Sequence, residues 1–356
     1  MKNNINVLVS NVALPSKVIG SWTTRLTKFI YNTDFFDYIL SPSNENKKNI
    51  FCKKNKFITY NKRIRKIQLK KWVAKDFYNS VLKLSNETKN LTIVVIDDTH
   101  LLELFAVNKS FFSCKIKLIF SFHGFSLSLK DNILFNVDKI LFQTTASYLA
   151  SKDNFFSFTP EVKIIGNGVD SSTFFLLNNS QKKAQKKELG FKSNETIITW
   201  VANGRPSKGI HIFLKAANVI LKKYENIKIV VIGSRKDLGN KYILNIGRIP
   251  NNEISKYLQV SDYFFFTTLC KEGFALSPIE ALKCGNNIIS TNIGSVPESL
   301  KGLKNVLFVD KPNIVSEWVN AFDISMRQTK ELVTKEELDL IHNYENWELN
   351  FKNSIL

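Results

Sequence analysis

Cysteine is scarce in this sequence, and the four cysteines present are widely separated. Cys52, Cys114, Cys270 and Cys284 show none of the paired spacings that mark a disulfide framework or a zinc cluster. We therefore expect neither a disulfide-stabilised secreted fold nor a metal held by cysteines. A reducing, cytoplasmic setting is the simplest one for such a chain.

Long apolar runs are lacking as well. No stretch approaches the roughly 18 consecutive apolar residues that a helix needs to cross a bilayer. The first residues, Lys2–Ser10, have the pattern of a strand and not that of a signal peptide. These features predict a protein that is soluble or at most attached to a surface.

Acidic residues are outnumbered by basic ones. The chain has 50 Lys and Arg against 31 Asp and Glu, which gives a formal net charge of +19. The range Lys53–Lys75 contains no acid, and its cations are interleaved with aromatic and apolar residues. These cations include Lys62, Arg63, Arg65, Lys66, Lys70 and Lys71. Three interpretations stay open: docking on an anionic membrane surface, nucleic-acid binding, or a solvated lysine-rich helix.

Apolar runs of strand length alternate with helical patterns along the whole chain. This alternation predicts parallel sheets, and 356 residues suffice for two α/β domains with separate cores. The strands predicted in the first domain are Ile5–Val9, Leu91–Ile96, Lys117–Ser121, Lys139–Phe142 and Val162–Ile165. Those predicted in the second are Thr196–Ala202, Ile227–Ile232, Tyr263–Phe266, Ile288–Ser290 and Val306–Val309.

The most informative segment is Glu272–Glu280, which places one carboxylate in a glycine-containing loop and another at the start of a helix. Ser277 suits the N-cap and Pro278 the first helical position, so we expect Glu280 in the first turn, where the helix dipole favours an anion. A strand precedes the loop, and ligands of open α/β sheets bind at the carboxyl ends of strands. Simple helix-start chemistry for Glu280 is the alternative.

A second loop has the composition of an anion site. The strand Thr196–Ala202 leads into Asn203-Gly204-Arg205, and the next helix is expected to start near Lys208 and Gly209. Backbone amides at a helix N-terminus, a guanidinium and an ammonium would together hold a diphosphate. The alternative is a turn whose cations are solvated.

Polar residues also follow two predicted strands of the first domain. His123 comes directly after Lys117–Ser121, and Asp98 and His100 follow Leu91–Ile96. A histidine at a strand end is a candidate for contact with a substrate. The alternative for His123 is a half-buried structural residue.

Taken in order, these motifs resemble those of the large retaining glycosyltransferases with two Rossmann-like domains, the GT-B type, family four. The segment Ile165–Asp170 with Phe174 is similar to the family's closing strand and turn of the first domain. The resemblance implies an α/β fold of two Rossmann-like domains whose parallel sheets face a central cleft. Its domains would be 1–175 on the acceptor side, 176–332 for the nucleotide sugar, and a helical tail, 333–356, that packs back on the first domain.

The resemblance also implies roles for individual residues. The family's Arg and Lys that match Arg205 and Lys208 stabilise the leaving nucleoside diphosphate without a metal, so no metal and no cofactor are expected. Glu272 would contact the donor sugar, His123 would face the transferred sugar, and these four residues would be the catalytic ones. The donor would further be bound by Glu280, whose carboxylate would accept hydrogen bonds from ribose hydroxyls, and by Gly204, Phe274, Ala275, Leu276, Gly20 and Arg248. The acceptor side would include His100 and Asp98.

Two positions depart from the family pattern. Only Gly20 stands where a glycine pair is usual, and Ser295 follows Gly294 where a second glycine is common.

The resemblance implies a retaining, metal-independent hexosyltransferase that uses a nucleoside diphosphate sugar. The acceptor would be a glycan or a lipid-linked glycan in bacterial surface polysaccharide synthesis, namely lipopolysaccharide, O-antigen or capsule. The protein would be cytoplasmic or peripheral on the inner face of the cell membrane, with Lys53–Lys75 as the docking segment and no nucleic-acid partner. The alternatives are a non-hydrolysing nucleotide-sugar epimerase and a basic nucleic-acid-binding protein.

Overall fold

The computed structural model describes residues 2–16, 20–55, 70–234, 238 and 242–356. The basic segment 56–69, which includes Lys62, Arg63, Arg65 and Lys66, lies outside the described residues. Within them the chain divides into two units: the first comprises 1–166 and 348–356, and the second 167–347. None of the described helices is long and apolar enough to span a bilayer.

The first unit contains a sheet of seven parallel strands in the order β3-β2-β1-β4-β5-β6-β7. Its strands are β1 (Lys2–Ser10), β2 (Tyr38–Ser41), β3 (Asn49–Phe51), β4 (Thr88–Ile96), β5 (Lys115–Ser121), β6 (Lys139–Phe142) and β7 (Glu161–Ile164). Its helices are α1 (Ser21–Asn32), α2 (Lys70–Val73), α3 (Lys75–Ser85), α4 (Thr99–Val107), α5 (Asp131–Leu134) and α6 (Thr145–Lys152). This alternation confirms the predicted α/β class.

The second unit contains a sheet of six parallel strands in the order β10-β9-β8-β11-β12-β13. Its strands are β8 (Thr196–Val201), β9 (Ile227–Ile232), β10 (Ile243–Gly247), β11 (Tyr263–Phe266), β12 (Asn287–Thr291) and β13 (Val306–Val309). Its helices are α7 (Asn179–Glu188), α8 (Ile210–Lys223), α9 (Asn251–Val260), α10 (Leu276–Lys283), α11 (Val296–Leu300), α12 (Val315–Arg327) and α13 (Lys335–Leu340). A further helix, α14 (Tyr344–Ile355), contains the division at 347.

The strands read as continuous apolar runs because helices cover both faces of each sheet. In β11, side chains alternate between the faces: Phe264 packs with Ile279 of α10, whereas Phe265 packs with Phe213 of α8 and Trp318 of α12. All five side chains are buried. Because all strands of a sheet are parallel, the residues that follow each strand lie in loops at one edge of that sheet.

In each sheet two central strands are neighbours although they are not consecutive in the chain. These pairs are β1 with β4 in the first unit and β8 with β11 in the second. The order of strands reverses there, which opens a crevice at their carboxyl ends where doubly wound folds bind ligands. In the second unit, the loops that follow β8 and β11 are 202–209 and 267–275.

The structure divides the chain at a different place from the sequence prediction. The first unit ends at Gly166 and not at 175, and only 348–356 of the predicted tail belongs to it. There Phe351 is buried against Phe29, with ring centroids 5.2 Å apart. Residues 333–347 belong instead to the second unit, because Leu338 is buried in the core of that unit.

Candidate active site

The loop after β8 lies against the loop after β9. Gly233 has φ +96°, and a Cβ on it would lie 2.3 Å from the carbonyl oxygen of Ala202. A Cβ on Gly204 would lie 2.9 Å from Ser234 Oγ. Both glycines thus permit a close approach of two backbones. Next to them, Asn203 Oδ1 is buried and has no hydrogen-bond partner among the described residues.

The turn that leads into α8 is fixed by the end of β11. Gly209 has φ +70°, and a Cβ there would lie 1.8 Å from the Thr267 carbonyl oxygen, so only glycine fits. The Trp200 indole donates to Thr267 Oγ1 over 2.9 Å, and this hydroxyl donates to the Gly209 carbonyl over 3.1 Å. This network places Lys208 at the carboxyl end of β11.

Several backbone amides of this loop, which the sequence predicted to help hold a diphosphate, donate instead to carbonyls of the same loop. Arg205 N–H donates to the Asn203 carbonyl, Lys208 N–H to the Arg205 carbonyl and Gly209 N–H to the Pro206 carbonyl, over 2.6, 2.9 and 2.9 Å. Helix α8 begins at Ile210, slightly later than predicted. With these amides engaged, an anion bound here would depend mainly on the exposed side chain of Arg205 and the half-buried side chain of Lys208, and less on the backbone than the sequence suggested.

The structure brings Lys208 and Glu272 into direct contact. Lys208 Nζ lies 2.5 Å from Glu272 Oε1, and Thr268 Oγ1 donates to the same oxygen over 2.8 Å. The two charged side chains are 23% and 18% exposed, so solvent reaches the pair. An ammonium and a carboxylate thus stand together at the crevice between β8 and β11.

Helix α10 does not begin as predicted. Its first residue is Leu276 and its N-cap is Ala275, which has no capping side chain. Ser277 and Pro278 are therefore inside the helix, and Glu280 lies beyond its first turn. The helix dipole does not account for this carboxylate, because its effect fades within the first turn.

Glu280 is a buried carboxyl, only 4% exposed. Burial raises the pKa of Glu280 from 4.5 to about 7, against a hydrogen bond from the Asn251 side chain that lowers it. No cation contributes to this shift in pKa. A carboxyl that is buried at such a cost is typical of a functional site. The predicted position of Glu280 in the first turn was wrong, and its role in donor binding stays a prediction.

The residues between the two acids are backed by α11. Gly294 has φ +64°, and a Cβ there would lie 2.9 Å from Lys271 Cα. Ser295 N–H donates to the Glu272 carbonyl over 3.3 Å, and Ala275 N–H reaches Ser299 Oγ over 3.4 Å. The Ala275 amide is thus directed at a serine, whereas the amides of Phe274 to Leu276 were predicted to contact the donor.

Arg248 follows β10 at the same edge of the sheet. Its side chain is exposed. Gly233 N–H donates to the Gly247 carbonyl over 2.6 Å, which joins the ends of β9 and β10. Arg248 is thus carried by a strand adjacent to the one that precedes Gly233, and a role in donor binding stays a prediction.

In the first unit His123 is held at the end of β5. Its Nε2 lies 3.1 Å from Ser121 Oγ, its backbone N–H donates to Asp97 Oδ1 over 2.9 Å, and its ring meets Trp22 edge to face at 5.3 Å. Burial, and then the charge of Arg25, lowers the pKa of His123 to about 3, so the ring is neutral at physiological pH. Its Nδ1 has no hydrogen-bond partner among the described residues.

The acceptor-side residues have different surroundings. Asp98 caps α4 by accepting from Leu101 N–H over 3.0 Å, and Lys54 Nζ lies 2.6 Å from its Oδ1. These contacts give Asp98 a structural role, whereas its neighbour Asp97, with φ +46°, contacts His123. His100 is exposed on α4. Asp98 was the predicted one, and nothing in the sequence distinguishes this capping residue from Asp97, which contacts the histidine.

Gly20 is the N-cap of α1. Its φ of 167° is extended backbone, so its conformation does not require glycine. The hydroxyl of Thr23 donates to its carbonyl over 2.8 Å. Residues 17–19, which precede it, lie outside the described residues, and its predicted contact with a donor stays a prediction.

Comparisons with known proteins agree with this geometry. Residues 181–332 match the family described as glycosyl transferases group 1, which is less than half of the chain. Over 210 residues the chain is 21% identical to D-inositol 3-phosphate glycosyltransferase of Corynebacterium jeikeium, covering 54% of this chain and 50% of that protein. The chain spans about a third to a half of the length of the first such relatives, with 34%, 44% and 50% covered.

Solved structures match almost the whole chain. Sucrose-phosphate synthase from Thermosynechococcus elongatus has a TM-score of 0.75 at 13% identity, with 98% of each chain covered. The Anabaena protein HepE, solved in complex with UDP and glucose, has a TM-score of 0.71 at 13% identity, again with 98% of each chain covered. Such low identity shows the fold alone. Residues 181–332 thus resemble the glycosyl transferases group 1 family, and the chain has the two-sheet α/β fold of the GT-B glycosyltransferases.

Proposed function

We propose that this protein is a retaining glycosyltransferase that transfers a hexose from a nucleoside diphosphate sugar to a hydroxyl group of a glycan. The observation that carries the proposal is the contact between Lys208 and Glu272 at the crevice where β8 and β11 are neighbours. The cation suits a diphosphate and the carboxylate suits a sugar hydroxyl. Glu280, buried on α10, would accept hydrogen bonds from the ribose.

In this mechanism the leaving group is stabilised by protein charges. Lys208 and the exposed Arg205 would neutralise the negative charge that develops on the nucleoside diphosphate as its bond to the sugar breaks. Positioning of the acceptor on the same face of the sugar would supply the remaining acceleration and the retention of configuration. In the first unit the neutral His123 would offer a hydrogen bond to the transferred sugar.

No metal enters this proposal. The described residues contain no group of three or more His, Cys, Asp or Glu placed to hold a metal ion. Metal independence stays a prediction, which the donor screen below tests.

The donor site predicts selective binding of nucleoside diphosphates. UDP, GDP, ADP and dTDP and their sugars would be added to the purified protein in EDTA, and its thermal midpoint measured. At a ligand concentration of about 100 times Kd, the expected stabilisation is about 2.7 kcal/mol, which is a shift of several degrees. Among these ligands dTDP should bind most weakly, because its deoxyribose lacks the 2′-hydroxyl that Glu280 would bind.

Three further measurements separate the alternatives: the screen repeated with a divalent metal in place of EDTA, the fate of the nucleotide sugar without an acceptor, and binding of DNA at several salt concentrations. Stabilisation that appears only with Mg²⁺ or Mn²⁺ would contradict the metal-free mechanism. Consumption of the nucleotide sugar without an acceptor would indicate an epimerase. Salt-sensitive binding of DNA, with no nucleotide-sugar binding, would indicate a nucleic-acid-binding protein.

We further propose that the acceptor is a lipid-linked glycan of bacterial surface polysaccharide synthesis, reached at an anionic membrane surface. The described end of the basic stretch supports this proposal. Trp72 of α2 is 69% exposed and Phe111 is 66% exposed, while Lys71 Nζ lies 5.0 Å from the Phe111 ring centroid and 4.6 Å from that of Tyr78. Exposed aromatic rings beside lysines suit the interface of an anionic bilayer.

This surface predicts selective binding to anionic vesicles. In co-sedimentation, Trp72→Ser should lower binding to vesicles containing phosphatidylglycerol by about tenfold, since burial of one aromatic side chain contributes about 1.5–3 kcal/mol. Phe308→Ser is the matched control, because Phe308 is exposed on β13 of the second unit. Equal binding of the wild-type protein to neutral and anionic vesicles would contradict electrostatic docking.

A further inference from the structure

The segment that follows the matched residues 181–332 folds against the helix that carries Glu280. Lys283 of α10 is only 1% exposed, and its ammonium donates to the carbonyls of Leu338 and Asp339 over 2.6 and 3.2 Å. These carbonyls lie at the end of α13, where the helix dipole favours a cation. The buried ion therefore fixes the end of α13 to α10.

His342 comes shortly after this point and makes three contacts. Its Nε2–H donates to the Ser299 carbonyl over 2.9 Å, and its ring meets that of Phe274 edge to face, with centroids 5.1 Å apart and an interplanar angle of 89°. Its carbonyl accepts from Val169 N–H over 2.8 Å. These contacts hold the residue at φ +42°, a region that few non-glycine residues occupy and in which His, Asn and Asp are the most frequent of them.

Two of these contacts lead directly to the loop between the two acids. Phe274 belongs to that loop, two residues after Glu272. Ser299 accepts from Ala275 N–H through its Oγ, over 3.4 Å, and the same hydroxyl donates to the Ser295 carbonyl over 3.0 Å. Ser295 N–H in turn donates to the Glu272 carbonyl. His342 thus supports the loop from behind at both Phe274 and Ser299.

We propose that His342 is a positioning residue, which holds the loop Glu272–Leu276 in the geometry that binds the donor. The inference rests on the proposed function, and it adds a residue from outside the matched segment to the nucleotide-sugar site. His342 itself does not touch Glu272 or Glu280 in these contacts; it acts through Phe274 and Ser299.

The test compares two substitutions at this residue. In His342→Asn, asparagine accepts a positive φ but is too short for either side-chain contact, so the backbone is kept and the support is lost. In His342→Gln, the amide can donate to the Ser299 carbonyl again without the ring contact. His211→Asn is the control, because His211 is exposed on α8 of the same unit.

Amide hydrogen exchange measures how firmly the loop is held in its folded conformation, and it needs no substrate. In H342N the amides of Gly273 to Leu276 are expected to exchange about tenfold faster, the effect of losing one hydrogen bond and one ring contact. H342Q should recover part of this protection, and H211N should match the wild type. No change in the loop, or an equal rise throughout 167–347, would overturn the positioning role in favour of general support of the fold.

Steady-state kinetics supply the second measurement. We expect H342N to raise the KM for the nucleotide sugar about tenfold and to leave the acceptor KM unchanged. Unchanged donor KM together with a loosened loop would overturn the inference while the proposed function stands. A wild-type protein that binds no nucleoside diphosphate would overturn the proposed function, and with it the donor part of the inference.

Discussion

Replacing Glu280 with glutamine is expected to stabilise the protein above pH 7 and to remove most of its donor affinity. Burial raises the pKa of Glu280 from 4.5 to about 7, so the folded protein holds this proton more tightly than the unfolded chain does. The wild type therefore loses stability as pH rises from about 4.5 to 7, and above pH 7 the whole penalty is present. At roughly 1.4 kcal/mol for each unit of pKa, the penalty is about 3 kcal/mol.

Glutamine has the same shape as glutamate but no charge to desolvate. The thermal midpoint of Glu280→Gln should exceed that of the wild type by about 5 °C at pH 8, and the difference should vanish near pH 4.5. Glu225→Gln is the control, because Glu225 is exposed in the same unit. A midpoint difference that does not change with pH would contradict the assignment of this titration to Glu280.

Donor binding should change in the opposite direction. The ribose hydroxyls would donate to a charged acceptor in the wild type and to a neutral amide oxygen in the variant, so affinity should fall by about 10–100-fold. Below pH 7, wild-type affinity should weaken towards tenfold per pH unit as Glu280 takes up its proton, and the variant should lack this component. Isothermal titration of the nucleotide found in the donor screen, at pH 5.5 to 8, measures both effects.

A gain in stability combined with a loss of binding is the result expected for a residue retained for function. A purely structural buried glutamate would show the gain without the loss. This comparison separates the two interpretations of Glu280 that the sequence left open.

The sheets could largely be predicted from the sequence, because long apolar strands buried on both faces have an unmistakable composition. β4, β5, β8, β9 and β11 were predicted within a few residues. Three strands were missed: β2, β3 and β10, which are short or, in β10, contain Asn and Gly. These strands owe their conformation to pairing with a neighbour, and such pairing leaves little trace in local sequence.

The start of α10 shows why boundaries are harder to predict than elements. Ser277 and Pro278 form a favourable N-terminal pair, yet the helix begins at Leu276, because the backbone of Ala275 is set by tertiary contacts with α11. Local preference contributes about 1 kcal/mol, which packing readily exceeds. The pKa of Glu280 is likewise set by burial, which only the fold determines.

His342 gave no signal in the sequence at all. It is a single histidine in a charged tail, far along the chain from Phe274 and Ser299. Its importance follows from a positive φ and from two contacts that only the folded chain creates. Asp97 and Asp98 illustrate the same limit. They are neighbours of one type, yet Asp97 contacts His123 whereas Asp98 caps α4, because the backbone at the strand end directs their side chains differently.

The second large effect is expected at Lys208. Lys208→Met keeps the stem of the side chain and removes the charge that would neutralise the leaving diphosphate. Loss of one such stabilising group lowers kcat/KM by about 10²–10³-fold. The fold should persist, because Lys208 is part of a surface-accessible pair that contributes little to stability. Lys215→Met, an exposed lysine on α8, is the control.

Glu272→Gln provides the informative comparison, because it removes the other half of the same ion pair. In the wild type the carboxylate of Glu272 neutralises Lys208, with 2.5 Å between Nζ and Oε1. Without it the ammonium is released towards a diphosphate, so the variant should bind the nucleoside diphosphate product as tightly as the wild type or severalfold more tightly, while sugar transfer falls. Lys208→Met should weaken product binding as well as transfer. If both variants weakened product binding equally, the two residues would not have the separate roles proposed here, with the cation on the phosphates and the carboxylate on the sugar.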